Sequence, residues 1–163
     1  MERETRRLQA LMLGNGFLVM IVGMLFGFVL GFALLEAIDL WPIPAIPVEI
    51  PGTVRGWATA HAGCISNGLM VVAVAMTLPV LSLSRAGARW VAWGLVLTAW
   101  GNAAFYTLAP LAANRGLSAT ANRFGEASLM GVLAFAPAMV AAVAVLIALG
   151  IAARGAFARA SET

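Results

Sequence analysis

Four long apolar blocks organise the chain: Leu8 to Leu35, about Trp57 to Leu83, Trp90 to Leu111, and Ala127 to Ala153. At about 1.5 Å of rise per residue, a helix over each block reaches across the roughly 30 Å hydrocarbon core of a bilayer. The first block follows Arg3, Arg6 and Arg7. It is about twice as long as the 7–15-residue core of a signal peptide, so it predicts a retained helix. The pattern predicts an all-α membrane protein: a four-transmembrane-helix bundle, one domain over residues 1–163.

The polar stretches between the blocks refine this picture. The N-terminus, the turn carrying Arg85 and Arg89, and the C-terminus with Arg154 and Arg159 hold seven of the ten basic residues, all arginines. The opposite side holds Arg55, Arg115 and Arg123 among Glu36, Asp39, Glu49 and Glu126. By the arginine bias of short flanks, both termini are expected in the cytoplasm of a bacterial inner-membrane protein. Trp41, Trp57, Trp90 and Trp93 stand at block edges, where indoles favour the lipid–water interface. The first outer loop, Trp41 to Gly52, contains four prolines. They predict a stiff, extended path without regular helix, lying against the membrane or the bundle mouth as a spacer or partial lid. In the first block, Gly23, Gly27 and Gly31 repeat every four residues, which predicts close helix packing, within the chain or between subunits.

Composition agrees with a lipid-solvated chain, since 62% of residues are hydrophobic and only 10% are charged. A net charge of +3 is too small, and too confined to helix ends, for a nucleic-acid surface. The lone Cys64 excludes an intrachain disulfide, and the absence of a C-x-x-C-H motif excludes covalent haem attachment.

Polar groups inside the blocks carry the chemical information, because hydrocarbon tolerates them poorly. His61, Cys64 and Asn67 repeat every three residues in the second block, and Thr98, Asn102 and Tyr106 every four in the third. Straight antiparallel helices put Asn67 and Tyr106 at similar depth, roughly 24 Å from the intervening turn at about 1.5 Å per residue, with His61 about 9 Å farther. One outer-half pocket for all three is the expectation. No carboxylate lies within a block, so a carboxylate relay or a two-carboxylate hydrolase lacks its parts. A protein-only zinc site needs three or four ligands, and only His61 and Cys64 qualify. On chemistry alone two readings of His61 stay open: an interhelical hydrogen-bonding histidine, and an axial ligand to haem iron. Asn67 and Tyr106 read as interhelical hydrogen-bonders, Trp100 as packing, and Cys64 as a small buried filler.

The stretch Gly56-Trp-Ala-Thr-Ala-His61-Ala-Gly-Cys64-Ile-Ser-Asn67-Gly68 resembles the second-helix motif of the styrene oxide isomerases. Trp100-Gly-Asn102-Ala-Ala-Phe105-Tyr106, then Asn114-Arg115-Gly116-Leu117 with Phe124-Gly125, follow in matching order. The resemblance implies a redox-neutral Meinwald rearrangement of aryl epoxides, styrene oxide to phenylacetaldehyde, with ferric haem b as Lewis acid. It implies His61 as the iron ligand, Trp57 and Asn102 with it in cofactor binding, and Asn67 and Tyr106 as catalytic residues at the epoxide oxygen. It further implies a homotrimer with haem near subunit interfaces and a small apolar epoxide arriving from the lipid. At Thr98 the chain departs from the family pattern, which has an aspartate there. Arg115 and Arg123 are candidate propionate partners or ordinary outer-loop anchors. A haem-binding sensor or electron carrier without isomerase activity is the alternative reading, and a cofactor-free structural subunit the third.

Overall fold

The computed structural model describes residues 2–161. Its four long helices are α1 (Glu2–Leu35), α2 (Val54–Thr77), α3 (Arg85–Leu108) and α4 (Leu129–Ala160). Short 3-10 turns, Leu78–Val80 and Ala109–Leu111, end α2 and α3 at Pro79 and Pro110, where the missing N–H stops the α-helical ladder. The other three starts share one device. Thr53, Ser84 and Ser128 each turn a hydroxyl onto the backbone N–H three residues on, at Gly56, Gly87 and Gly131. Such a cap is worth about 1 kcal/mol.

α1, α2 with its 3-10 turn, and α4 are long and apolar enough to cross a membrane, at 34, 27 and 32 residues. α3 is not among them, and its position explains why. It packs against α1, α2 and α4, while α4 takes α3 as its helical partner. A central helix meets other helices before it meets lipid, so its blend of Gly, Ala, Thr and Asn is tolerated. Ten of its 24 residues are buried, against five of 34 in α1. α1 instead turns Phe17, Leu18, Ile21, Met24, Leu25 and Phe28 outward.

Glu4 of α1 pairs with Arg85 and Arg89 of α3, and the Ser82 N–H donates to the Gly155 carbonyl of α4. The start of α1 and the last turns of α4 therefore lie beside the α2–α3 turn.

The outer loop corrects the all-helical expectation. Ala37–Leu40 (β1) and Ile43–Pro47 (β2) pair as a small antiparallel hairpin, with a register irregularity between Ile38 and Leu40. Every residue from Asp39 to Pro47 is exposed, while Ala37 and Ile38, at the foot of the hairpin beside α1, are half-buried. The second outer loop is tied down by Asn114, which is fully buried. Its Nδ2 donates to the Ser118 and Thr120 carbonyls, its Oδ1 accepts from the Gly116 N–H, and its carbonyl accepts from Asn122. The Asn114-Arg115-Gly116 stretch thus builds a loop, with Gly116 at φ +64° where a side chain is disfavoured.

Candidate active site

α1 and α2 cross with almost nothing between them. A Cβ on Gly68 would fall 2.6 Å from the Gly16 carbonyl, and one on Gly23 would fall 2.9 Å from the Ile65 nitrogen. The four-residue glycine repeat is thus used within the chain at Gly23 and Gly27, while Gly31 faces open space. Close approach brings His61 onto α1. Its Nδ1 lies 2.8 Å from the Gly23 carbonyl oxygen, and a Cβ on Gly27 would come within 3.0 Å of the ring at Nδ1 and Cε1.

A carbonyl can only accept, so this bond requires the proton on Nδ1 and leaves the lone pair on Nε2. No buried side-chain nitrogen or oxygen lacks a partner among the described residues. Nε2 makes no bond within the chain, so it opens to the surface of the bundle. An imidazole whose Nδ1–H is held by a backbone carbonyl and whose Nε2 is open is the arrangement of a metal-ligating histidine. The interhelical hydrogen bond and the ligand role occupy different nitrogens, and the ring accommodates both. Among the described residues no group of three or more His, Cys, Asp or Glu side chains converges as a metal cage. A single nitrogen donor therefore suits a metal that brings its other ligands along, as haem iron does.

Trp57, one turn before His61, is buried against Phe26 of α1, with ring centroids 5.7 Å apart. Its indole N–H donates to the Pro51 carbonyl at 3.0 Å and so anchors the entry into α2. Trp41, Trp90 and Trp93 are exposed, whereas this indole is buried. Cys64 is fully buried in the apolar core between His61 and Asn67.

Between α2 and α3 lies a second polar group. Asn102 Nδ2 donates to Asn67 Oδ1 at 2.8 Å, and Asn67 Nδ2 donates to the Gly63 carbonyl at 2.8 Å. The Tyr106 hydroxyl lies close to the Asn67 side chain. Tyr106 lies flat over Gly63, where a Cβ would fall 2.5 Å from Cε2 and Cζ. Gly63 is the residue that sequence reasoning passed over. Its signal was the small residue two positions after the histidine, on the face that turns to α3.

The expected common pocket is therefore divided within one chain. Asn67, Asn102 and Tyr106 come together between α2 and α3, while His61 turns to α1. At 100° per residue, six residues rotate the direction by about 120° around α2. The α3 stripe divides for the same reason. Thr98 is buried against α4, where its hydroxyl lies 2.7 Å from the Gly94 carbonyl and 3.1 Å from that of Ala141. Trp100 is half exposed and donates to Asn15 of α1 at 2.8 Å. Arg115 and Arg123 both stack on the ring of Phe124, at 4.2 and 4.6 Å from its centroid.

The model of the styrene oxide isomerase family matches residues 8–157, a span that takes in all four helices and every residue just described. The chain belongs to the styrene oxide isomerase family. A styrene-oxide isomerase of Pseudomonas fluorescens is 35% identical over 127 residues, covering 78% of this chain and 75% of that protein. The chain is accordingly an isomerase.

Proposed function

We propose that the chain is a haem-dependent aryl-epoxide isomerase of the bacterial inner membrane, converting styrene oxide to phenylacetaldehyde. The observation that carries the reading is the fixed tautomer of His61, whose open Nε2 is the nitrogen that would hold haem b. When bound, ferric haem supplies a Lewis-acidic metal toward an epoxide oxygen. Trp57, one turn away along the same seam, would bound the cofactor, whereas Asn102 lies between α2 and α3 and would take part in cofactor binding only where a neighbouring copy brings that face to the haem.

The remaining work falls to side chains between α2 and α3. Asn102 hands a hydrogen bond to Asn67, whose carboxamide faces the Tyr106 hydroxyl. In this reading the second N–H of the Asn67 amide donates to the Tyr106 oxygen, and the phenolic proton is left to donate outward. That proton would meet the epoxide oxygen as negative charge develops on it during C–O cleavage, the moment at which a fixed donor contributes most. The reaction is redox-neutral: a hydride moves from the oxygen-bearing carbon to the benzylic carbon, and the C–O bond left behind becomes the aldehyde. The apolar helix faces keep water from trapping the benzylic cation as a diol.

The site divides between two faces of α2, and this favours completion by a neighbouring copy, with haem near the interfaces of a homotrimer. Both termini lie on the cytoplasmic side in this reading, and the substrate enters from lipid.

The test is an absorption spectrum of detergent-solubilised protein together with conversion of styrene oxide. Tyr106→Phe is expected to keep the haem band and lose about 10²–10³-fold in kcat, the cost of removing one oxyanion donor. Normal turnover in a haem-free preparation would reject the reading.

A further inference from the structure

The end of the bundle that carries both termini holds a feature the isomerase site does not use. An open groove of about 520 Å³ runs beside the start of α3, lined by Arg85, Ala86, Arg89, Trp90 and Trp93. Its walls are apolar, and the two indoles are 62% and 54% exposed. The two arginines stand at its polar edge, fastened to one carboxylate. Arg85 Nε donates to Glu4 Oε2 at 2.9 Å, and Arg89 donates to Glu4 Oε1 through Nε at 2.6 Å and through Nη2. One carboxylate against two guanidiniums leaves one positive charge over. Glu4 engages Arg85 through Nε, which turns its terminal nitrogens elsewhere, and both arginine side chains remain more than half exposed.

We infer that this groove binds an anionic phospholipid, with the phosphate on Arg85 and Arg89 and the upper acyl chain along Trp90 and Trp93. The charge selects an anion, and guanidinium forks match phosphate oxygens in pairs. The indoles select a lipid over a free anion, because a small phosphate would leave them uncovered at the headgroup level where such rings settle. A zwitterionic lipid would set its ammonium against the uncompensated positive charge. Glu4 cancels one of the two guanidinium charges and leaves the other for the ligand.

The experiment uses the full-length protein in mixed micelles with brominated phosphatidylglycerol or brominated phosphatidylcholine. It reads the tryptophan quenching that is lost in a Trp90→Phe/Trp93→Phe variant. Half-quenching is expected at about fivefold less phosphatidylglycerol than phosphatidylcholine, the size set by one net charge near an anionic surface. Arg85→Gln/Arg89→Gln is expected to erase the preference, and Glu4→Gln to keep or widen it. A purely structural clasp would instead make Glu4→Gln behave like the arginine variant. Equal half-quenching by both lipids, displacement of the lipid by millimolar inorganic phosphate, or a groove that neither lipid quenches because a second copy covers it would overturn the inference.

Discussion

Two seams of this bundle use the same packing device to different ends. Between α1 and α2, Gly16, Gly23 and Gly68 let backbones meet, and Gly27 makes room for the His61 ring. Between α3 and α4, Gly94 and Gly101 do the same against Ala148, Ala141 and the Pro137 carbonyl. Each seam also encloses one polar side chain whose hydrogen bond crosses to the facing helix. At the α3–α4 seam, Thr98 has a single proton, directs it at two carbonyls and is fully buried, so no donor is left and no ligand can reach it. At the α1–α2 seam, His61 settles one nitrogen on the Gly23 carbonyl and keeps the other. Close packing alone makes a scaffold. It makes a site where the enclosed group has a bonding position left over.

The strongest way to break this contrast is to remove the imidazole and then return it. His61→Gly is expected to abolish the haem band and turnover together, and free imidazole in the buffer to restore the band in part. A purified His61→Gly protein that keeps haem without imidazole would show that the ligand is elsewhere. Returning the ligand untethered also separates its coordination from any role of the side chain in folding.

A matched pair of glycine substitutions sharpens the contrast at the next level. An alanine Cβ at Gly27 would press on the His61 ring at 3.0 Å, and one at Gly101 would press on the Pro137 carbonyl oxygen at 2.9 Å and the Ala141 Cβ at 3.0 Å. The steric insult is similar and the neighbour differs. Gly27→Ala is expected to weaken haem affinity about 10–100-fold, as loss of a ligand-orienting partner does. Gly101→Ala is expected to cost about 1–3 kcal/mol of stability from overpacking while haem affinity stays unchanged. Haem titration and thermal unfolding of the two proteins measure both quantities. Equal effects on haem would remove the distinction between the seams.

Much of this arrangement was legible in the sequence, and the parts that were not share a cause. Four helices followed from block length. The histidine stood out as the one imidazole in an apolar run, and the resemblance in the Gly56–Gly68 stretch located the family. Helix starts were read a few residues off because hydropathy blurs at the ends, whereas the cap residues Thr53, Ser84 and Ser128 mark them sharply. The hairpin escaped because strands of four and five residues, exposed along most of their length, carry no alternation to read. What the pattern could not give was rotation. Repeats of three and four residues drift around a helix by about 60° and 40° per step, so His61 and Asn67, or Thr98 and Tyr106, look like stripes in sequence and end on different faces.

Thr98 gives the smallest effect and the most exacting test. Thr98→Val keeps the shape and removes the hydroxyl, leaving the Gly94 and Ala141 carbonyls without that donor. Hydrogen bonds between membrane helices average about 0.6 kcal/mol in net worth, so a loss of that order in stability is expected, with haem content and kcat unchanged. A carboxyl at the same position sharpens the point. Thr98→Asp would set a carboxyl among carbonyl oxygens at the α4 side of α3, turned away from Tyr106. Only its protonated form is accommodated there, because a carboxylate would face acceptors with no donor. That variant is expected to lose stability without gaining turnover. If instead Thr98→Val lowered kcat while stability held, the α3–α4 seam would be shaping the reaction, and the division between scaffold and site drawn across α3 would have to move.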